Sequence, residues 1–211
     1  MFYTDIPLTI AEREARNDHN FWITSSNLDR YNFVFRKVLG DERIEDIVGR
    51  MDKPIGLDLA GHGCYMQELG ISGLAVCFGH WQEKQPNVDQ LQGNLLGQST
   101  WEQIATWCKD KGNPSIVTFA PGYGVSYLWN MGKNRYNSER WMTIYQHGEV
   151  IFLHLLRASC SLLAPGGTLL MEFYSSPQIR SLMYKNLDHF RKIPGYDITY
   201  QEGFLRIDKH K

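Results

Sequence analysis

A short glycine-rich stretch after an acidic residue is the first place where residue types and spacing could do chemistry. Asp58 lies near the end of the apolar run Ile55 to Leu59, and Ala60-Gly61-His62-Gly63 follows it directly. Glycine lets a backbone approach a ligand where a Cβ would clash, and a helix that begins after such a turn offers unpaired N–H groups to a carboxylate. The stretch therefore predicts a strand, a glycine turn and a short helix that together form a ligand site.

A long aromatic segment, 121–137, is the second candidate. It contains Tyr123, Tyr127 and Trp129, and long aromatic-rich loops are often functional. The same residues equally fit a helical turn that packs onto the core. Glu172, near the end of an apolar run, is a candidate base or cation ligand, or the partner of a nearby cation. We predict that these four side chains face a substrate.

The histidine and cysteine positions do not predict a metal site. His147 and His154 are two helical turns apart, which is not the spacing of ligand pairs on zinc-binding helices. His62, Cys64 and His80 have no ligand spacing of their own and would meet only if the fold brought them together. We expect no bound metal.

Alternating strands and helices must position these residues. Apolar runs bounded by turn residues predict strands β1 to β5 at 55–59, 74–78, 88–91, 115–119 and 168–173, with a closing hairpin at 196–200 and 204–207. Helical periodicity predicts helices between them, one of which begins at Ser99 because Ser99 and Glu102 have capping-box spacing. Such alternation implies a parallel sheet with right-handed crossovers, and a ligand beyond the carboxyl ends of its strands.

Composition limits the function classes. The 211 residues are 43% hydrophobic, which is enough for one sizeable core. Lys+Arg and Asp+Glu number 22 and 23, so no overall charge indicates a nucleic acid or an anionic membrane as a partner. Four scattered cysteines favour buried thiols in a reducing compartment. With no signal peptide and no apolar stretch of bilayer length, we expect a cytoplasmic protein.

Three segments together resemble the class I S-adenosylmethionine-dependent methyltransferases. They are Leu57-Asp58-Leu59-Ala60-Gly61-His62-Gly63, then Gly93-Asn94-Leu95-Leu96, and Leu163-Ala164-Pro165-Gly166-Gly167 before β5. The resemblance covers 53–211 and implies an α/β, Rossmann-like three-layer sandwich. Its mostly parallel seven-stranded sheet would have the order 3-2-1-4-5-7-6 and end in an antiparallel hairpin. Residues 1–52 would form an N-terminal helical cap on this one compact domain.

The resemblance also implies S-adenosyl-L-methionine as cofactor. Asp58 would organise the turn or bind the methionine amino group, and Asn94 would bind the adenine amino group. The implied cofactor-binding residues are Asp58, Ala60, Gly61, His62, Gly63, Gly79, His80, Asn94, Leu95, Phe119 and Ala120. The acceptor would be a small molecule by default, and nothing in the chain indicates an oligomeric state or the catalytic residues.

Several positions depart from the family pattern. The glycine turn is one residue shorter than usual, and Gly79-His80-Trp81 replaces the acid that normally binds the ribose after β2. The run 119–123 lacks the motif of the branch that methylates amino nitrogens. Ala120 and Glu172 stand where the RNA ribose-methylating branch has Asp and Lys. We therefore expect neither branch.

Two other functions remain open. One is a methyltransferase-like fold without catalysis, acting as a binding or scaffold module. The other is a nicotinamide-dependent oxidoreductase, which is disfavoured because Gly61-His62-Gly63-Cys64-Tyr65-Met66 lacks the third glycine of that motif and because the acid expected after β2 is absent. From the sequence, Gly61→Val should obstruct the cofactor pocket, whereas Asp58→Ala should weaken binding and leave the fold largely intact.

Overall fold

The computed structural model describes residues 27–77, 85–93, 95, 97–120, 153–172, 184, 187 and 191–211. Within these residues, seven strands form one sheet in the order β3-β2-β1-β4-β5-β7-β6. The strands are β1 (Ile55–Leu59), β2 (Ser72–Cys77), β3 (Val88–Gln92), β4 (Ile116–Phe119), β5 (Thr168–Glu172), β6 (Tyr196–Gln201) and β7 (Phe204–Lys209). The first five are parallel, and β7 runs antiparallel to both β5 and β6. The predicted fold class and strand order are confirmed.

Helices cover both faces of this sheet. They are α1 (Leu28–Leu39), α2 (Ile44–Gly49), α3 (Cys64–Glu68) and α4 (Gln98–Lys111), together with a helical segment at 153–162. Within the described residues, none of these is both long and apolar enough to cross a bilayer. The predicted capping box is wrong, because α4 begins one residue before Ser99, with Gly97 at its N-cap and no capping side chain.

Side chains of the central strands alternate between the two faces, as the pleat of a β-strand requires. Leu57, Leu59 and Val117 point towards α4 and the 153–162 segment, in what we call the first cluster. Ala75 and Leu170 point the other way, towards α1, α2 and α3, in the second cluster. The sheet is thus the middle layer of three, and its continuous apolar strands are buried on both faces.

The helices before β1 pack directly on the sheet. Tyr31 and Phe35 of α1 and Ile44 of α2 are almost completely buried in the second cluster, beside Ile116 of β4. Asn27 caps α1 with its side-chain oxygen, and Gly40 ends it at φ 64°. The predicted domain boundary at residue 52 stays a prediction. α1 and α2 both pack on the sheet face that carries the second cluster.

Glycines on two neighbouring strands let α3 lie close to the sheet. Gly56 of β1 and Gly73 of β2 are directly paired, and Met66 of α3 fills the space above both. A Cβ at Gly56 would lie 2.1 Å from the Met66 sulfur, and one at Gly73 would lie 2.3 Å from it. The close approach of helix to sheet therefore comes from glycines in the strands rather than in the helix.

The predicted closing hairpin is present. Glu202 and Gly203 connect β6 and β7 with φ values of 50° and 91°, and two consecutive positive φ values suit a tight hairpin between twisted strands. Because every residue of β5 pairs with β7, the hairpin extends the sheet beyond the last parallel strand.

Candidate functional site

Asp58 lies in the second half of β1, and its side chain points into the second cluster. Its register neighbours are Ala75 on β2 and Thr118 on β4. Because Leu57 and Leu59 occupy the opposite face, alternation directs Asp58 towards α1 and α3. Its exposed fraction is 0%, and a buried carboxylate is stable only when protein donors replace water.

Three donors satisfy the Asp58 carboxylate. The hydroxyls of Tyr31 and Thr118 donate to Oδ1 at 2.7 and 2.8 Å. The backbone N–H of Gly63 donates to Oδ2 at 2.8 Å. The carboxylate therefore organises the glycine turn, which is one of its two predicted roles. Asp58→Ala would leave these three buried donors without their acceptor, so the expectation of a largely intact fold does not agree with this network.

Burial and hydrogen bonding act in opposite directions on this carboxyl group. Burial is the larger effect and raises the pKa of Asp58 from an ordinary 3.8 to about 6, while the bonds from Tyr31, Gly63 and Thr118 lower it. Burial and the neighbouring carboxylate also hold the pKa values of the Tyr31 and Tyr65 hydroxyls well above their ordinary range. Both phenols therefore stay protonated at neutral pH, and Tyr31 remains a donor.

The shape of the turn explains why residues 61 and 63 are glycines. A Cβ on Gly61 would lie 2.1 Å from Oδ2 of Asp58, and Gly63 has φ 74° and would place a Cβ 2.8 Å from both Met66 and Val88. Ala60 has φ 62°, which is uncommon for a residue with a side chain. Gly61→Val is therefore expected to clash with the Asp58 carboxylate. The variant would be harmful because of this clash inside the protein, and not because it obstructs a ligand pocket, as was predicted.

His62 connects the turn to the end of β2. Its Nε2 lies 3.8 Å from the Cys77 sulfur, and the Ala60 N–H donates to Val76 O at 2.8 Å. Burial lowers the pKa of His62, so the ring is neutral at pH 7. Asp58 therefore holds the turn through the Gly63 N–H, and β2 holds it through the Ala60 N–H and the contact of His62 with Cys77.

Other predicted residues end the neighbouring strands. Phe119 pairs with Leu59 and belongs to the first cluster, whereas Ala120, one residue further, belongs to the second. Leu95 packs against the first cluster, and its carbonyl accepts a hydrogen bond from the indole N–H of Trp101 at 2.7 Å. Glu172 is the last residue of β5, paired with Phe204. These positions share the carboxyl edge of the sheet with the turn.

The remaining predicted site residues lie outside the described residues. They are Gly79, His80, Asn94, Tyr123, Tyr127 and Trp129, and their predicted roles stay predictions. Within the described residues, no group of three or more His, Cys, Asp or Glu side chains is arranged to hold a metal ion.

A cavity of about 850 Å³ lies at the opposite edge of the sheet. It is lined by residues at the starts of three strands, including Ile55, Ser72 and Val88, with Trp107 and Lys111 of α4. A second cavity of about 610 Å³ lies between α4 and the 153–162 segment. Ligands of open α/β sheets bind beyond the carboxyl ends of the strands, so neither cavity coincides with the predicted cofactor site.

Three side chains that surround Asp58 were not predicted from the sequence. Tyr31 has the spacing of an apolar core position in α1, and Tyr65 follows the turn without a motif of its own. Thr118 had a usable signal, since it is a polar residue inside the otherwise apolar strand β4. A polar residue on each of two buried, neighbouring strands suggests that the two satisfy each other.

Comparisons with known proteins give structural likenesses only. No family profile and no curated protein matches the chain. Among solved structures, it resembles the MycE methyltransferase of the mycinamycin biosynthetic pathway, in complex with Mg and SAH, at 11% identity and a TM-score of 0.49, covering 99% of this chain and 55% of that one. It also resembles an rRNA methylase from Streptococcus thermophilus at 11% identity and a TM-score of 0.43, covering 78% and 92%.

A third likeness is to precorrin-6y C5,15-methyltransferase from Geobacter metallireducens, at 10% identity and a TM-score of 0.41, covering 83% of this chain and 92% of that one. The chain spans about half the length of the MycE chains that it matches (49%, 45% and 55%). Likenesses of this strength concern the fold alone. The strand order β3-β2-β1-β4-β5-β7-β6, with β7 antiparallel between β5 and β6, is that of the predicted Rossmann-like α/β fold.

Proposed function

We propose that the chain binds S-adenosyl-L-methionine and transfers its methyl group to an acceptor. The observation that carries this proposal is the tightly held turn 60–63 at the carboxyl end of the central strand β1. Its backbone is fixed by Asp58 through Gly63 and by β2 through Ala60. A ligand bound there meets a preorganised backbone and loses little affinity to ordering it.

The described residues fit such a cofactor. Ala60 and Ala120, which follow β1 and β4 directly, are small residues at the sheet edge where an adenosine group would bind. α3 has only five residues, so the backbone of the turn, rather than a long helix dipole, would hold the carboxylate end. When bound, the cofactor supplies an electrophilic methyl group, and the protein's task is to align an acceptor with it.

We propose a small-molecule acceptor and a cytoplasmic location. The near balance of acidic and basic residues supports the absence of a nucleic-acid partner. Tyr123, Tyr127, Trp129 and Glu172 are the proposed acceptor-facing residues, and Glu172 is the candidate base if the acceptor begins protonated.

Two alternative functions can be distinguished from methyl transfer by a single ligand-binding experiment. A non-catalytic scaffold is compatible with a turn whose acid is fully occupied by protein donors. A nicotinamide oxidoreductase is less favoured. In the nicotinamide-binding motif G-x-G-x-x-G, the third glycine allows close helix packing. Counted from Gly61 and Gly63, that position is Met66, whose long side chain packs against the sheet.

The test is calorimetric titration of the full chain with S-adenosylmethionine, S-adenosylhomocysteine and NAD, up to millimolar concentrations. Micromolar binding of the first two supports the proposal. Binding of NAD alone would indicate the oxidoreductase, and binding of none of the three by a folded protein would indicate the scaffold.

A matched pair of glycine variants locates the site. Gly61→Ala places a methyl group against Asp58, whereas Gly49→Ala, at the end of α2, meets nothing within 4 Å. We expect Gly61→Ala to weaken S-adenosylhomocysteine binding at least tenfold and Gly49→Ala to leave it unchanged. Equal affinity in both variants would place the cofactor elsewhere.

A further inference from the structure

The link between α1 and the glycine turn runs through one hydroxyl group. Tyr31 Oη donates to Asp58 Oδ1 at 2.7 Å, across 27 residues of sequence. The ring is 1% exposed and is held between two other rings, with centroids 5.9 Å from Phe35 and 5.1 Å from Tyr65. Packing therefore fixes where the Tyr31 hydroxyl points.

The Asp58 carboxylate connects the Tyr31 hydroxyl to the turn. Its two oxygens are rigidly related, and two hydroxyls, those of Tyr31 and Thr118, hold Oδ1. The direction of Oδ2 is thereby set, and Oδ2 accepts the Gly63 N–H. The same oxygen lies 2.1 Å from the position that a Cβ of Gly61 would take, so the turn packs directly against the carboxylate.

We propose that Tyr31 is a positioning residue for the cofactor turn, which holds Asp58 so that residues 60–63 keep their binding conformation. This inference rests on the proposed cofactor site and deepens it, because it makes α1 part of the apparatus that shapes the site. Tyr31 itself contacts Asp58 and not the ligand.

Tyr65 provides a matched control. It is as deeply buried as Tyr31 and belongs to the same cluster, but its hydroxyl lies 3.3 Å from Thr118 Oγ1, which in turn donates to Asp58 Oδ1. Tyr31→Phe and Tyr65→Phe each remove one buried hydroxyl, so a general loss of core stability would affect both alike.

The experiment uses both variants of the full chain with two readouts. The first is the dissociation constant of S-adenosylhomocysteine. The second is the hydrogen-exchange rate of the Gly63 amide, followed by NMR without any ligand. We expect Tyr31→Phe to weaken binding and to accelerate Gly63 exchange at least tenfold each, and Tyr65→Phe to change each less than threefold.

Equal effects of the two variants, or no change in Tyr31→Phe, would overturn the proposal. If the wild-type chain binds no S-adenosylhomocysteine, the proposed function fails, and the Gly63 exchange rates still decide whether Tyr31 positions the turn. If Tyr31→Phe does not fold, Thr118→Val removes the other donor to Oδ1 and is expected to act in the same direction. An unchanged Gly63 amide in that variant would also count against the proposal.

Discussion

At the scale of single residues, Asp58 is the centre of the site. It is fully buried, yet its acceptor capacity is used by two side chains and one backbone group from three different parts of the chain. The acid therefore acts on the turn from inside the protein. A role in binding a ligand's amino group is not needed to explain its presence.

The raised pKa of Asp58 gives a prediction about pH. Its folded-state pKa of about 6 exceeds the ordinary 3.8, so its contribution to stability is present at low pH and is lost as pH rises through about 6. At about 1.4 kcal/mol per pKa unit, the whole shift corresponds to about 3 kcal/mol, of which about 2 kcal/mol is expected to be lost between pH 4 and pH 7. Among the described residues, Tyr31 and Tyr65 are titratable groups that face this carboxyl group, and both titrate far above this range.

The measurement is urea unfolding of the wild type and of Asp58→Asn across this pH range. The wild-type free energy of unfolding, relative to that of the variant, should fall as pH rises. Glu42 and Glu45, whose pKa values are lowered, titrate with the opposite sign but are present in both proteins. A constant difference would show that the Asp58 carboxyl ionises equally easily in the folded and unfolded chains.

At the scale of elements, the contact of α3 with β1 and β2 depends on two paired glycines. The three atoms nearest to a Cβ at Gly56 belong to the side chains of Met66 and Ile71, whereas a Cβ at Gly73 also lies 2.5 Å from the backbone oxygen of Gly56. A flexible methionine can move aside or be shortened, but a strand carbonyl cannot move without breaking the sheet. The two glycines should therefore respond differently to the same substitution.

We expect Gly56→Ala to cost about 1–3 kcal/mol of folding free energy, as overpacking of a core does, and Gly73→Ala to cost more. Introducing Met66→Ala should remove most of the cost of Gly56→Ala but little of the cost of Gly73→Ala. Double-mutant cycles in urea unfolding measure both couplings. Equal rescue of the two glycine variants would contradict the backbone contact at Gly73.

At the scale of the whole molecule, α1 and α2 complete one of the two outer layers. Tyr31, Phe35, Val38, Leu39 and Ile44 are buried in the second cluster together with sheet residues from β2, β4 and β5. Arg206 of β7 also donates to Glu42, between the two helices, at 2.6 Å. The N-terminal segment therefore covers core that the strands alone would expose.

Truncation tests whether 53–211 folds independently. A chain that starts at Lys53 lacks α1 and α2, and we expect it to lose cooperative unfolding because the sheet face beneath them becomes exposed. A chain that starts at Asn27 keeps both helices and serves as the control. Sharp, two-state thermal unfolding of the 53–211 chain would establish it as an independent domain and 1–52 as an added cap.

The sequence by itself determined the elements and their order. Strands are read from continuous apolar runs, helices from apolar spacing, and the turn from glycines after an acid, because these patterns arise between residues close in the chain. They predicted β1 to β5, the closing hairpin at Glu202-Gly203 and the turn 60–63. The predicted start of α4 at Ser99 is one residue later than the observed start at Gln98. The spacing of a capping box in the sequence does not guarantee that its hydrogen bonds form.

Only the tertiary structure decided which way the site residues face. Asp58 bonds to Tyr31 and Thr118, which are 27 and 60 residues away. Those contacts depend on the register of β1 with β4 and on the rotation of α1 about its axis, and neither is encoded locally. The same holds for Gly61, whose missing side chain makes room for a carboxylate that only the folded β1 places beneath it.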